Sequence, residues 1–155
     1  MKAGTKPRIL FVTIWLERGG TEWHLVDVAS RLAKRGWSVA IYCLYGRGSM
    51  ADDAEKMGVD VLTPPTAFLH RRGLPLLFGV PFTGPHLFWK FLVRRPKFAH
   101  FFLPAAYIIG APFALLARIS FPIMSRRSVA NYSKDRPVMR AIERWLHKRM
   151  AAVTG

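Results

Sequence analysis

Short apolar runs recur along the chain and alternate with stretches whose apolar residues follow helical spacing. The first run, residues 8–14, is rich in β-branched and aromatic residues and shows no regular polar alternation. Runs of this kind are typical of strands buried on both faces of a parallel sheet. The pattern predicts six strands, at residues 8–14, 38–44, 59–62, 98–103, 121–125 and 151–154.

Helical spacing dominates between these runs. The apolar residues from 25 to 32 fall on one stripe, and Gly36 follows where glycine is favoured after a helix. Ser49 is expected to cap a short helix that ends at Gly58. The predicted helices cover residues 21–35, 49–57, 86–95, 104–118 and 137–150.

Two helical regions carry further expectations. Residues 66–97 contain several prolines and glycines, so the pattern predicts irregular chain there, with only residues 86–95 helical. The last helix has one apolar stripe. The residues expected on its inner face are Val138, Ile142, Trp145 and Leu146.

The order strand, helix, strand, helix, strand predicts parallel pairing with right-handed crossovers. The expected fold class is α/β, a Rossmann-like three-layer αβα sandwich around a mostly parallel sheet. The uncharged stretch at residues 101–117 is close to the minimum length of a membrane span. Prolines and a glycine interrupt it, so a buried strand followed by a buried helix explains it better.

The chain is strongly basic, with 24 Lys and Arg against 9 Asp and Glu and a net charge of +15. Such a field attracts nucleic acid, acidic lipid headgroups or phosphorylated substrates. Hydrophobic residues make up 51% of the chain, which argues against an intrinsically disordered protein. Together these features favour a membrane surface or a lipid-linked partner, and an ordinary basic protein is the alternative.

Cys43, the single cysteine, lies in an apolar run and predicts a buried, inert thiol in a reduced, cytosolic compartment. The five histidines are scattered without the spacing of metal ligands, so no metal site is predicted. The N-terminus does not resemble a signal peptide, because its apolar stretch is short and ends at Glu17.

Gly19 and Gly20 stand where the first predicted strand passes into the first predicted helix. Glycines allow a sharp turn and close approach, and the free N–H groups of a helix start bind phosphate. Glu22 would repel a phosphate beside it, so it is expected to cap the turn or bind a sugar hydroxyl. A plain tight turn is the alternative, because the pattern is not GxGxxG.

The opening segment RILFVTIWLERGGTEWHLVDVASRLAKRGWSVAIYCL resembles the start of retaining glycosyltransferases of family 4, which have the GT-B fold. The segment AHFFLPAAYIIGAPFALLARISFPIMSRRSVANY and the tail ERWLHKRMAAVTG resemble later parts of the same family. These likenesses occur in the family's order and cover nearly the whole chain, least well at residues 66–97.

The resemblance implies that residues 1–155 are the acceptor-binding N-terminal half of a two-domain enzyme, without the C-terminal nucleotide-sugar domain. It implies that the loop facing the donor diphosphate consists of Gly19, Gly20, Thr21 and Glu22. The nucleotide-sugar would be a co-substrate, with no cofactor and no metal. Activity would need a nucleotide-sugar-binding C-terminal domain or subunit, and the chain alone would be inactive.

Further site residues follow from strand ends. His100, expected at a strand end, is a candidate catalytic residue with a structural role as the alternative, and Phe102 stands where many relatives have a histidine. Arg126 and Arg127 follow the fifth predicted strand, at the edge where doubly wound sheets bind ligands. They would bind an acceptor phosphate, with Asn131 as a further polar contact. A solvated basic turn is the alternative.

Residues 68–72 and 88–95 mix bulky apolar side chains with Arg and Lys, which suits the interface of an anionic bilayer. Packing of the aromatic residues into the core is the alternative. Nucleic-acid binding is disfavoured because no known binding platform is present. The candidate membrane-surface residues are Arg71, Arg72, Trp89, Lys90, Arg94 and Arg95.

Two functions remain open at this point. The first is the acceptor-binding half of a glycosyltransferase that acts on a lipid-linked or phosphorylated acceptor. The second is a non-catalytic, basic membrane-associating or accessory module that has kept the fold. Both are expected in the cytoplasm, attached peripherally to the inner face of the membrane.

Overall fold

The computed structural model describes residues 6–65, 76–125 and 137–154, without side chains at 76–80 and 137–140. Its described strands form one six-stranded sheet in the order β3-β2-β1-β4-β5-β6, and every pairing in it is parallel. The strands are β1 Arg8–Thr13, β2 Ser38–Cys43, β3 Asp60–Leu62, β4 Phe98–Phe102, β5 Phe121–Ser125 and β6 Ala152–Thr154. The helices are α1 Gly20–Lys34, α2 Ala51–Lys56, α3 Leu76–Arg94, α4 Pro104–Leu116 and α5 Pro137–His147.

Helices cover both faces of the sheet. One core cluster joins alternate residues of β1 and β2, such as Phe11 and Ile41, to Leu25 and Ala29 of α1 and to α2. The other joins the intervening strand residues to α3, α4 and α5. Strand residues are therefore buried on both sides, which is why β1 and β2 read as continuous apolar runs. The predicted Rossmann-like αβα sandwich is confirmed.

The predicted cap of α2 is wrong. The residue at the N-cap position is Met50, and the Ser49 hydroxyl instead donates a hydrogen bond to the Glu17 carboxylate at 2.9 Å. The Met50 N–H bonds to the carbonyl of Leu16, which fixes the start of the helix from the neighbouring loop. The expected stop is confirmed, because Gly58 follows the helix with φ +83°.

The prediction of irregular chain before residue 86 is also wrong, since α3 runs through Pro81 and Pro85. Both prolines lie on the exposed face, where water can bond the carbonyls left without a donor. Gly84 packs so closely on the Phe113 ring of α4 that a side chain would not fit there. Leu87 and Phe91 of the same helix are buried in the core cluster that contains α4, and this packing favours a helix here despite the prolines.

In α5, Leu146 is buried and Ile142 is partly buried, as predicted. Trp145 is not on the inner face: it is 46% exposed, and the Arg149 guanidinium lies 4.1 Å from its ring centre. The side chain of Val138 lies outside the described residues. The stretch at 101–117 forms the end of β4 and all of α4. None of the described helices is both long enough and apolar enough to cross a bilayer.

Candidate functional site

The carboxyl ends of the parallel strands meet at one edge of the sheet, where doubly wound folds bind ligands. Two loops lie side by side at this edge, one between β1 and α1 and one between β2 and α2. Backbone N–H groups of the second loop donate to carbonyls of the first: Leu44 to Thr13, Tyr45 to Ile14 and Met50 to Leu16, at 2.8–2.9 Å. The pairing of β1 with β2 thus continues into the loops and holds them together.

The double glycine lies at this carboxyl edge, at the start of α1. Gly19 has an extended backbone, and the Glu22 carboxylate packs directly against it, so that a side chain at residue 19 would overlap that carboxylate. Glu22 is buried, and a carboxylate there is favoured by the helix dipole. Gly20 faces open space, with no described atom within 4 Å of where its Cβ would be. The Gly20 side of the turn is therefore open.

His100 lies in the middle of β4, between Phe11 of β1 and Ile123 of β5, and not at a strand end. Its Nε2 is 2.7 Å from the Ser125 hydroxyl, which is 2.7 Å from the Thr154 hydroxyl. These contacts connect His100 to the carboxyl ends of β5 and β6.

Phe102, at the position where relatives have a histidine, is fully buried in the core cluster on the α1 side. The centre of its ring lies 4.4 Å from that of His100. The side chain at this position is therefore part of the core.

An aromatic cleft at the same edge was not predicted from the sequence. Trp15 and Tyr45 meet edge to face with ring centres 5.5 Å apart. The cavity beside them has a volume of about 430 Å³. We call it the aromatic cleft, and its lining residues are Trp15, Glu17, Tyr45, Gly46, Arg47, Gly48 and Ser49.

The charges around the aromatic cleft are predominantly negative. Arg47 binds the carboxylates of Asp52 and Glu55 at 2.9 and 2.7 Å. The Arg47 guanidinium holds the pKa of Glu55 below its usual value, and hydrogen bonds to Glu55 and Asp52 raise the pKa of Arg47. Glu17 adds a further carboxylate to the lining. This patch contrasts with the net charge of +15 of the whole chain.

The opposite, amino edge of the sheet is basic. A groove of about 580 Å³ beside the ends of α3 and α4 is lined by Arg95, Lys97 and Arg118 together with apolar residues such as Leu92. On α3, Phe82 and Trp89 are 63% and 59% exposed and lie on the same helix face. Packing into the core, the alternative for the aromatic residues at 88–95, holds for Phe91, which is buried, and does not hold for Trp89.

The remaining candidate residues have different outcomes. Lys90 is partly buried, and Arg94 pairs with Asp60 at 2.8 Å. Several predicted residues lie outside the described part of the chain. They are Arg71, Arg72, Arg126, Arg127 and Asn131.

Two further groups bear on the chemistry. Burial raises the pKa of the Cys43 thiol to about 12, so this cysteine is an inert core residue, as predicted. Within residues 6–65, 76–125 and 137–154, no group of three or more His, Cys, Asp or Glu is placed to hold a metal ion.

Comparison with known proteins finds neither a matching family model nor a matching curated protein. Solved structures do match. MurG of Acinetobacter baumannii has a TM-score of 0.66 at 12% identity, over 95% of this chain and 40% of MurG. HepE (Alr3699) of Anabaena, solved with UDP and glucose, has a TM-score of 0.63 at 17% identity, over 94% of this chain and 37% of HepE. CalG4, the calicheamicin glycosyltransferase, has a TM-score of 0.57 at 14% identity, over 94% of this chain and 36% of CalG4.

The identities of these matches are low, so the likeness concerns the fold. The neighbours are GT-B glycosyltransferases, and the chain spans less than half the length of each. The chain therefore has an α/β Rossmann-like fold that it shares with one part of GT-B glycosyltransferases.

Proposed function

We propose that the chain is the acceptor-side half of a retaining, family 4 glycosyltransferase that takes a sugar from a nucleotide-sugar. The observation that carries this proposal is the glycine turn of α1. It lies at the carboxyl edge of a sheet whose fold is shared with GT-B glycosyltransferases. HepE, one of these neighbours, binds UDP and glucose, which supports a nucleoside diphosphate sugar as the donor class.

The residues of this turn would act on the leaving diphosphate. Backbone N–H groups at the start of α1 are already oriented toward the negative charge that develops on the leaving group. Hydrogen-bond donors that need no reorganisation contribute most to catalysis at such a position. The Glu22 carboxylate repels anions on the Gly19 side, so the diphosphate approaches on the open Gly20 side. Glu22 itself suits a sugar hydroxyl, because an ionised carboxylate only accepts hydrogen bonds.

The other half of the active site would come from a nucleotide-sugar-binding domain or subunit. The test reads the DNA after codon 155 and the neighbouring genes for such a partner and produces it with this chain. Release of nucleoside diphosphate is then measured from a panel of UDP- and GDP-sugars, with membrane lipids as the acceptor. Transfer by the combination well above that of either part alone is expected. No gain over the partner alone would contradict the proposal.

A membrane-associating surface is the second candidate function, and it is compatible with the first. The exposed Trp89 of α3 lies less than two helical turns before the end of the helix, where Arg95, Lys97 and Arg118 line the basic groove. None of these three cations has a carboxylate partner in the described part of the chain, so their charge is available to lipid phosphates. An anionic bilayer is the partner that this mixture of aromatic and basic groups fits.

A further inference from the structure

The aromatic cleft has the size and the wall of a small-molecule site. Its volume of about 430 Å³ lies in the range of ligand pockets, about 300–1,000 Å³. Trp15 is 45% exposed beside it, although most large apolar side chains of the neighbouring strands are buried. An indole face at the mouth of a cavity offers an apolar platform with a negative π-surface, which suits the C–H face of a sugar ring.

The polar groups of the cleft suit hydroxyls. Ser49 uses one acceptor position of the Glu17 carboxylate, at 2.9 Å, and an ionised carboxylate has about four such positions. Glu17 is otherwise exposed, so its remaining lone pairs face the cavity or solvent. A ligand that donates several hydrogen bonds is the natural partner for such a group.

The charges around the cleft disfavour an anionic ligand. Glu17 and Arg47 are the charged lining residues, and Asp52 and Glu55, which bind Arg47 from beside the cleft, make the surroundings negative overall. Arg18 is an exposed cation of the same loop but is not among the lining residues. A phosphate in this cleft would be repelled, whereas an uncharged polyol would not.

The cleft and the glycine turn belong to the same loop. Trp15 and Glu17 come shortly before Gly19, and both features lie at the carboxyl edge of the sheet. A group bound in the cleft is thus on the side of the domain where a donor would lie.

We propose that the aromatic cleft binds an uncharged glycosyl unit of the acceptor, with its ring on Trp15 and its hydroxyls donating to Glu17. The word acceptor rests on the proposed glycosyltransferase function, while saccharide binding itself does not. The glycosyl unit, and not a phosphate, is then what the aromatic cleft recognises in the acceptor.

Saturation-transfer difference NMR on the full chain tests this directly. The probes are the methyl glycosides of glucose, galactose, mannose and N-acetylglucosamine, with glucose 6-phosphate as the anionic probe. At least one neutral probe is expected to receive saturation, strongest on the C–H protons of one ring face, and at least about fivefold more than glucose 6-phosphate.

Variants then locate the binding. Trp15→Ala is expected to reduce the transfer at least about tenfold and Glu17→Gln severalfold, whereas Trp15→Phe keeps most of it. Trp23→Ala is the matched control, since Trp23 is 54% exposed on α1 and does not line the cleft. Amide NMR spectra of each variant show whether the fold is retained.

The inference is overturned if no neutral probe receives saturation, if Trp15→Ala leaves the transfer unchanged, or if glucose 6-phosphate binds as well as the neutral probes. This experiment needs no donor domain. If the two-part transfer assay fails while saccharide binding is observed, the proposed transferase function is rejected and the proposed saccharide site stands. If transfer is observed while no saccharide binds, the saccharide site is rejected and the transferase function stands.

Discussion

Gly48 has φ +74° and lies so close to the backbone of Leu16 that a side chain at this position would overlap it. The β2–α2 loop is thereby pressed against the β1–α1 loop, and the Met50 N–H reaches the Leu16 carbonyl at 2.8 Å. This contact brings Trp15 beside Tyr45 and Glu17 beside Ser49. The shape of the aromatic cleft therefore depends on Gly48, which is neither of the two residues proposed to bind the sugar.

Gly48→Ala is expected to lower the free energy of unfolding by about 2–4 kcal/mol. An alanine is strained in the left-handed backbone conformation at this position, and its Cβ also pushes the two loops apart. Gly46→Ala is the matched control, because no described atom lies within 4 Å of its Cβ position, and a change of at most about 0.5 kcal/mol is expected. Urea unfolding measures both variants. Equal effects would show that the loops are not in contact at Gly48.

The stability of the chain is expected to fall as the pH drops below about 6.5, the usual pKa of histidine. Burial and Lys90 lower the pKa of His86, so the unfolded chain binds a proton there before the folded chain does. The Tyr42 hydroxyl lies 2.8 Å from His86 Nδ1, and burial raises the pKa of Tyr42. The buried hydroxyl thus stays protonated and is able to donate to an unprotonated Nδ1.

His86→Gln is expected to weaken this dependence on pH. The free energy of unfolding is measured in urea between about pH 5 and pH 8, across the histidine range. His24→Gln, at an exposed histidine of α1, is the control substitution. A wild-type slope in the His86 variant would mean that other groups cause the acid sensitivity.

Binding to vesicles that contain phosphatidylglycerol is expected to weaken about 30-fold in the double variant Lys97→Gln, Arg118→Gln. This corresponds to about 1 kcal/mol for each cation near an anionic surface. Trp89→Ala should also weaken binding, whereas Trp23→Ala, a similarly exposed tryptophan on the other side of the sheet, should not. Vesicle flotation measures the bound fraction of each variant, and vesicles of phosphatidylcholine alone are the lipid control. Equal binding to both kinds of vesicle would contradict an electrostatic membrane surface.

The strands and α1 were predictable because their signals are local. The run at 8–14 reads as a buried strand, and Gly36, with φ +85°, ends the helix where the sequence places it. The class of fold follows from the order of these elements, and the six parallel strands confirm it.

The errors arise where distant contacts decide. The prolines of α3 argue against a helix locally, but the contact of Gly84 with Phe113 lies between two helices and is invisible in sequence. The aromatic cleft was missed for the same reason, since Trp15 and Tyr45 meet only through the pairing of β1 with β2. A tryptophan and a glutamate directly after a predicted strand were the available signal.

The central claim is that the open side of Gly20 faces the diphosphate of a nucleotide-sugar, and steady-state transfer by the two-part enzyme tests it most directly. Gly20→Val fills the open space and is expected to reduce kcat/KM for the donor about 100-fold, comparable to the loss of one preorganised donor of an oxyanion site. Lys34→Val, at the exposed far end of the same helix, should stay within about twofold, as a substitution remote from the reacting groups. Equal rates for the two variants would contradict the account.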